Sequence, residues 1–279
     1  MLVTVCIVLL SVITCVIIAL FTRHLYKTAS YTGIQNPTVY CLMVTGKDGF
    51  RIQLAQHALR NFQAQTHPHK KLIILNHHPT DNVLKGDYTQ WPSNVFEFHV
   101  NKSIAGNTLG TIRNMSLELV AQDAWWTTWD DDDYRSPTYL HTLIAFAAKQ
   151  KADCVAFTQR YEYNVNTGFV WQSTKKNGFP HVLARFDRRV QYLDRDTMED
   201  LTLIQQYNNI GKVAFLNNPP DMYIRLVHHT NTSLYVDQNK QSVIHTTTAA
   251  NYQEFEVSYN IRQKIQQIIS NYLLEEQTR

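Results

Sequence analysis

The order of predicted elements constrains the fold of this chain more than any other feature. Residues 38–45 form an apolar run that predicts a buried strand, residues 50–64 carry apolar side chains at helical spacing, and residues 71–75 predict a second buried strand. Strand, helix and strand in close succession are the unit from which a parallel sheet is built. The sequence therefore predicts an α/β fold with a mainly parallel sheet flanked by helices.

Further elements continue this alternation downstream. Residues 124–129 predict a strand rich in tryptophan, and the apolar spacing of residues 261–272 predicts an amphipathic C-terminal helix. Residues 160–195 lack clear periodicity and are expected to form hairpins and loops. The other predicted elements are strands at 95–100, 153–158 and 223–227 and helices at 108–121, 137–149 and 197–207.

An apolar segment without charged side chains opens the chain. Residues 1–21 are dominated by Val, Ile and Leu, and about 20 such residues in a helix cross the hydrocarbon core of a membrane. A cleaved signal peptide would begin with basic residues, whereas Arg23 and Lys27 follow the segment. We therefore predict one transmembrane helix in a single-pass membrane protein, followed by a polar linker at 22–36. The positive-inside rule places the C-terminal bulk in the cytosol.

Length and composition limit the remaining possibilities. The chain has 279 residues, and the part after the anchor, about 240 residues, is enough for one large α/β domain or two small ones. We place one domain at 37–235 and a C-terminal helical extension at 236–279. The net charge of +3 and the lack of a Lys/Arg run argue against a nucleic-acid partner. The four cysteines have neither a disulfide-framework nor a metal-site spacing.

Four consecutive aspartates, Asp130–Asp133, follow the tryptophan-rich strand directly. Neighbouring carboxylates repel each other by about 1 kcal/mol per pair even in water, and a divalent cation removes that cost. Mg²⁺ and Mn²⁺ prefer oxygen ligands, and open α/β sheets bind ligands beyond the carboxyl ends of their strands. The run therefore predicts a metal site, with a solvated acidic loop as the alternative.

The acidic run and its surroundings resemble the family 2 glycosyltransferases, which have the GT-A (nucleotide-diphospho-sugar transferase) fold. Residues 129–140 match that family's Asp-x-Asp motif with its following Asp, Pro and Leu. Leu109-Gly-Thr-Ile-Arg-Asn114 is similar to its Leu-Gly-x-x-Arg-Asn helix start, and residues 64–74 are similar to its Ala-Gln-Thr-Tyr-Pro segment. Residues 198–200 resemble its Glu-Asp helix start, and residues 223–228 its late strand. The resemblance covers about residues 37–235.

The resemblance implies the metal ligands. Asp130 and Asp132 correspond to the Asp-x-Asp pair, with Asp132 as the first ligand of Mn²⁺ or Mg²⁺ and Asp130 meeting the ribose or the metal through water. His228 is a further candidate ligand. The cation would neutralise the departing diphosphate as a Lewis acid. Asp131 and Asp133 have the alternative of capping the helix that Pro137 opens.

The resemblance also implies contacts to the donor. Thr45 and Asn76 end the first two strands, and Arg113 is a candidate for phosphate or base, with a structural ion pair as the alternative. The family usually has one or two aspartates at the end of strand two, one of which contacts the nucleotide base. Asn76 replaces them with an uncharged amide that can accept a hydrogen bond from a base N–H.

The candidate catalytic base is Asp200. An inverting transfer needs a carboxylate that takes the proton of the acceptor hydroxyl, and the resemblance places Asp200 there. The alternative is that Glu199 and Asp200 are ordinary acids in the first turn of a helix, favoured by the helix dipole.

The implied function is a metal-dependent, inverting transfer of a sugar from a nucleotide-diphosphate donor to a hydroxyl of a glycan, protein or lipid. The donor that we expect is a UDP-sugar. One alternative is a catalytically degenerate domain that binds a glycan or a partner at the membrane. Another is a nucleotidyltransferase, but no Gly-rich phosphate loop follows the first strand. Enzymes of this kind in the secretory pathway face the lumen, so both membrane sides stay open.

Overall fold

The computed structural model describes residues 36–46, 48–85, 91–100, 107–229, 231 and 252–274. The predicted anchor at 1–21, and residues 22–35 of the predicted linker, lie outside them. In the part of the chain that is described, no helix is both long and apolar enough to cross a membrane.

Within the described residues, ten strands form one sheet and five helices cover it. The strands are β1 (Val39–Thr45), β2 (Lys70–Asn76), β3 (Val95–His99), β4 (Trp125–Thr128), β5 (Tyr134–Arg135), β6 (Cys154–Asn164), β7 (Val170–Arg185), β8 (Val213–Asn217), β9 (Tyr223–Val227) and β10 (Tyr252–Glu256). The helices are α1 (Gly49–Gln63), α2 (Leu109–Glu118), α3 (Tyr139–Gln150), α4 (Leu203–Ile210) and α5 (Tyr259–Leu274).

The sheet is mixed rather than mainly parallel. Its order is β3-β2-β1-β4-β7-β6-β9-β5, with β10 beside β7 and β8 beside β6. The pairs among β1, β2, β3 and β4 are parallel, as the strand–helix alternation predicts. The stretch at 160–195 forms a hairpin, as the sequence predicts: its long strand β7 runs antiparallel to β6, and also to β4 and β10. An antiparallel pair needs no crossover helix, which makes the sheet mixed.

Each strand residue faces the layer that its position in the pleat selects. Cys41 and Met43 of β1 belong to the apolar cluster that contains α1 and α3. Tyr40 and Leu42 belong to the opposite cluster, which contains α2 and α4. The helices therefore cover both faces of the sheet.

Helix α4 begins later than the sequence predicts, at Leu203 rather than near residue 197. The backbone of Met198 has φ +57°, a left-handed conformation that an α-helix cannot include. Glu199 and Asp200 consequently lie in a turn ahead of the helix.

The C-terminal segment packs on the sheet and does not form a separate extension. Strand β10 pairs with β7, and Ile265 and Ile269 of α5 are fully buried in a cluster with Tyr161 and Ile224. The described residues from Thr38 onwards form one compact unit. The predicted boundary at 235/236 therefore separates segments that share one core.

Candidate active site

The acidic run lies at the edge of the sheet where the parallel strands end. Thr45 and Asn76, the last residues of β1 and β2, are paired in register, and the run follows β4. Asp131, Asp132 and Asp133 are only 1%, 8% and 2% exposed. A solvated acidic loop is therefore the wrong interpretation, because carboxylates buried to this degree need partners.

Two of the carboxylates share one arginine, Arg51, from the first turn of α1. Its Nη2 donates to Asp131 Oδ1 at 2.5 Å and its Nη1 to Asp132 Oδ2 at 2.6 Å. Thr45 Oγ1 donates a hydrogen bond to the other oxygen of Asp131 at 2.6 Å. Thr45, for which a contact to the nucleotide sugar was predicted, here orients the acidic run. Asp48, the N-cap of α1, accepts from the backbone N–H of Arg51 and fixes its position.

Burial and this shared cation set the charge of the pair. Burial raises the pKa of Asp131 to about 7, in spite of Arg51 and with a further contribution from the Asp132 carboxylate. Burial alone would also raise the pKa of Asp132, but Arg51 and His228 outweigh it and hold that pKa below its ordinary value. Asp132 is therefore the carboxylate that stays ionised.

The predicted metal ligands Asp132 and His228 do come together. His228 Nε2 lies 3.1 Å from Asp132 Oδ2, and Asn231 Nδ2 donates to the same oxygen at 3.0 Å. Asn231 Oδ1 in turn accepts from the backbone N–H of His228 at 2.6 Å. Asp130, the third predicted ligand, turns away to Arg113.

The donor set fits a cation that completes its shell from the substrate. Among the described residues, no group of three His, Cys, Asp or Glu side chains is arranged to hold a metal ion. Mg²⁺, however, is usually bound by one or two protein carboxylates, waters and substrate phosphates. Asp132 supplies a carboxylate oxygen of the kind that Mg²⁺ and Mn²⁺ prefer, and His228 adds an imidazole nitrogen, provided that Arg51 moves.

Asp133 supports the run from inside the fold. It accepts from Tyr223 O–H at 2.6 Å and from the backbone N–H of Leu226 at 3.3 Å. Helix α3 begins after Thr138 without any side-chain cap. The interpretation of Asp131 or Asp133 as a cap of that helix is therefore wrong, because both carboxylates are bonded elsewhere.

A fully buried arginine, Arg135, holds the backbone of the run in place. Its guanidinium lies 4.5 Å from the ring centroid of Trp129. It donates to the carbonyl oxygens of Thr128 and Asp130 at 3.3 and 3.2 Å. The bend that aims the four carboxylates is thus supported by a cation–π contact and by main-chain hydrogen bonds.

Arg113 connects the acidic run with the turn that carries the candidate base. Its Nη2 donates to Asp130 Oδ1 at 2.8 Å, and its Nε lies 3.0 Å from Glu199 Oε1, an ion pair without hydrogen-bond geometry. The guanidinium also lies 5.5 Å from the ring centroid of Tyr192. Arg113 therefore forms the structural ion pairs named as the alternative to a phosphate contact.

The other residues of the Leu-Gly-x-x-Arg-Asn segment hold the loop before that turn. A Cβ at Gly110 would lie 1.8 Å from the carbonyl oxygen of Leu193, so only glycine permits this approach. Asn114 Nδ2 donates to the carbonyl of Tyr192 at 3.0 Å, and Asn114 Oδ1 accepts from its N–H at 2.8 Å. The segment thereby positions residues 192–200 beside the acidic run.

Glu199 and Asp200 have different surroundings. Glu199 is 6% exposed, and burial raises its pKa. Asp200 is half-buried, and it interacts electrostatically with Lys175 of β7. Neither acid lies in the first turn of α4, so the helix-dipole interpretation does not apply.

Asn76 organises the loop after β2. Its Nδ2 donates to Glu97 Oε1 and to the carbonyl of Asp81, both at 2.7 Å, and its Oδ1 accepts from the backbone N–H of His78 at 2.8 Å. The side chain is fully buried. Asn76 thus has protein partners on both ends of its amide, and the base contact implied for it stays a prediction.

A polar groove opens where strands β6, β7, β8 and β10 meet. Lys175 and Lys176 contribute the charge, and the remaining lining consists of hydroxyl and amide side chains: Thr158, Gln159, Thr174, Asn217 and Gln253. Hydroxyls and amides can both donate and accept hydrogen bonds. The groove shares Lys175 with the surroundings of Asp200.

No protein-family model matches the sequence, and no curated protein matches it. Solved structures do match, among them S. aureus TarS residues 1–349 in complex with UDP, at 15% identity and a TM-score of 0.51 over 68% of this chain and 60% of that chain. The complex of TarS 1–349 with UDP-GlcNAc matches at 14% identity and a TM-score of 0.51 over 85% of this chain and 67% of that chain.

These likenesses show the fold. TarS 1–349 by itself gives the same result, with 13% identity and a TM-score of 0.50, and the match spans 60% of its length. The mixed α/β sheet of this chain is that of a GT-A glycosyltransferase fold. The fold named by the sequence resemblance is thus confirmed.

Proposed function

We propose that the chain is a glycosyltransferase that moves a sugar from a UDP-sugar to a hydroxyl acceptor with inversion, assisted by Mn²⁺ or Mg²⁺. The observation that carries the proposal is the continuous set of contacts from the acidic run through Arg113 to the Glu199–Asp200 turn, at the ligand-binding edge of a GT-A sheet. The similar TarS structures contain UDP and UDP-GlcNAc, which supports a uridine nucleotide as the donor.

Asp132 and His228 would hold the cation in this proposal. When bound, the cation neutralises the diphosphate that leaves with the nucleotide. Arg135 and Asp133 keep the run rigid, so the ligand oxygen is preorganised and need not be ordered during the reaction. Asp130, the carboxylate closest in sequence to the strand end, is held by Arg113 and would contact the ribose of the donor or the metal ion through water.

Asp200 would act as the general base. It is half-buried on a turn, whereas Glu199 is tied to Arg113. Lys175 lines the polar groove and interacts electrostatically with Asp200, and the hydroxyl and amide lining of the groove suits an acceptor rich in hydroxyl groups. In this arrangement the acceptor hydroxyl gives its proton to Asp200 while its oxygen attacks the anomeric carbon opposite the leaving diphosphate.

The non-catalytic alternative is a binding module with the same fold. It is favoured by one observation: Asn76 is buried and bonded to its own loop, so the contact that the family makes to the base is missing. The membrane anchor at residues 1–21 and the side of the membrane remain predictions.

Asp200→Asn tests the proposal. The amide keeps the size of the side chain but loses the basic oxygen, and general-base catalysis contributes about 10²- to 10⁴-fold. Turnover should fall by at least about 100-fold, while UDP affinity changes by less than about 1 kcal/mol. Asp221→Asn, which removes a surface carboxylate paired with Lys264, should leave both unchanged.

The measurements are UDP release from UDP-sugars, calorimetric titration with UDP and Mn²⁺, and NMR of the anomeric proton in the product. An inverted anomer supports the assigned geometry. Near-normal turnover in a folded Asp200→Asn variant would leave the base unassigned. UDP binding without turnover of any UDP-sugar would favour the binding module.

A further inference from the structure

Arg51 holds the position at which a cation is expected. Its guanidinium donates one hydrogen bond to Asp131 and one to Asp132, at 2.5 and 2.6 Å, and its side chain is only 12% exposed. Hydrogen bonds between two charged groups are about twice as strong as neutral ones. Arg51 therefore relieves the same carboxylate repulsion for which a divalent cation would otherwise be needed.

The guanidinium also competes with a metal ion for the same atoms. Nη1 donates to Asp132 Oδ2, the oxygen that faces His228 Nε2, and Nη1 lies 3.5 Å from that ring nitrogen. A divalent cation on Asp132 and His228 would share its oxygen ligand with a fixed positive charge and be repelled by it. In the present arrangement the two cations exclude each other.

The same helical turn also restrains His228. Phe50, beside Arg51, packs its ring against His228 and His229, with centroid separations of 5.7 and 5.0 Å. Phe50 is 37% exposed, so this turn forms part of the surface of the site. A ligand that moves Arg51 would therefore act on a turn that already borders solvent.

We propose that Arg51 is the resident counter-ion of the acidic run, and that the donor diphosphate takes over its guanidinium and so frees Asp132 and His228 for the metal ion. A guanidinium binds phosphate oxygens in the same bidentate manner as carboxylates, so the exchange replaces one pair of charged hydrogen bonds with another. The inference rests on the proposed function, because it assigns the diphosphate to this site. Its consequence is that metal and nucleotide bind together and that the metal alone binds weakly.

Arg51→Met tests this in the full-length chain in detergent micelles. Methionine keeps an apolar stem of similar length and removes the charge. The readout is the electron paramagnetic resonance signal of free Mn²⁺, titrated with protein in the absence of nucleotide. We expect the variant to bind Mn²⁺ at least about tenfold more tightly than the wild type, since two charged hydrogen bonds no longer compete. Arg189→Met, which removes a surface arginine paired with Asp187, controls for net charge and should bind Mn²⁺ like the wild type.

A second titration uses UDP. Saturating UDP should raise the Mn²⁺ affinity of the wild type more than that of Arg51→Met, because part of the coupling in the wild type comes from the release of Arg51. Arg51→Lys keeps the charge but lacks the planar fork that places one hydrogen bond on each carboxylate, so its Mn²⁺ affinity should lie between those of the wild type and Arg51→Met. If Arg51→Met does not fold, the comparison of Arg51→Lys with the wild type tests the proposal.

Equal Mn²⁺ affinity in the wild type and the folded Arg51 variants would overturn the proposal. It would also be overturned if UDP raised the Mn²⁺ affinity of all of them by the same factor. These readouts need no turnover. A chain that shows the expected Mn²⁺ affinities but cleaves no UDP-sugar would refute the proposed function and leave the role of Arg51 standing.

Discussion

Glu162 of β6 is a buried carboxylate whose contribution to stability can be worked out from its surroundings. Its Oε1 lies 3.1 Å from Arg160 Nε and accepts from Ser173 O–H at 2.5 Å, and its Oε2 accepts from Arg225 Nη1 at 3.2 Å. These contacts join β6, β7 and β9, and β9 also provides the Tyr223 hydroxyl that holds Asp133.

The pKa of Glu162 gives the magnitude. Burial by itself would raise it, but Arg160 and Arg225 outweigh burial and lower the pKa from 4.5 to about 2. Each unit corresponds to about 1.4 kcal/mol, so the ionised side chain contributes about 3 kcal/mol at pH 7. Because the folded pKa lies below the unfolded value, the unfolded chain binds more protons in acid. The contribution is present above about pH 4.5, falls to about 2 kcal/mol near pH 3.5, and is lost as the pH approaches 2.

The perturbation is Glu162→Gln, which replaces the carboxylate with its neutral isostere. Urea unfolding of the fragment that begins at Asn36, followed by tryptophan fluorescence at pH 7, 5 and 3.5, gives the free energy of unfolding of the wild type and the variant. The variant should be less stable by about 3 kcal/mol at pH 7, and the difference should shrink to about 2 kcal/mol at pH 3.5. Glu118→Gln on the exposed side of α2 should change stability by less than about 0.5 kcal/mol at every pH.

A difference between wild type and Glu162→Gln that does not change with pH would refute this reasoning. Such a result would mean that the arginines stabilise the fold through packing and not through the charge of Glu162. A difference below about 1 kcal/mol at pH 7 would mean that desolvation cancels the attraction, as it does in some buried ion pairs.

Asp132→Ala should abolish the metal dependence of UDP binding in calorimetry, whereas Asp131→Ala, whose carboxylate is occupied by Thr45 and Arg51, should weaken it less; equal effects would contradict the assigned ligands. Arg135→Lys should lower the free energy of unfolding by about 3 kcal/mol in urea, because lysine cannot bond both carbonyl oxygens and stack on the aromatic ring at the same time. An unchanged unfolding midpoint would show that the acidic run keeps its conformation without Arg135. A fragment that begins at Asn36 should be soluble and bind UDP with Mn²⁺, and an insoluble, non-binding fragment would count against that boundary.

Local patterns in the sequence determined the first half of the fold. The strands and helices from β1 to α3 were predicted in order, except the two-residue strand β5, because each of the others has a periodicity that depends only on residues close in the chain. The position of the acidic run at the end of β4 followed in the same way. Trp126 and Trp129 are buried, as large aromatic side chains usually are.

Only the tertiary structure decided which partners the charged residues have. Arg51 lies 80 residues from Asp131, and Arg113 reaches both Asp130 and Glu199; no local pattern encodes such pairings. One signal was available for Arg51, because buried carboxylates need a cation and it is a basic residue in the first turn after β1. The burial of Asn76 and the left-handed Met198 were likewise beyond reach from the sequence. Periodicity depends on residues that are a few positions apart in the chain. Ion pairs depend on the register of strands and helices across the whole sheet, and that register exists only once the chain is folded.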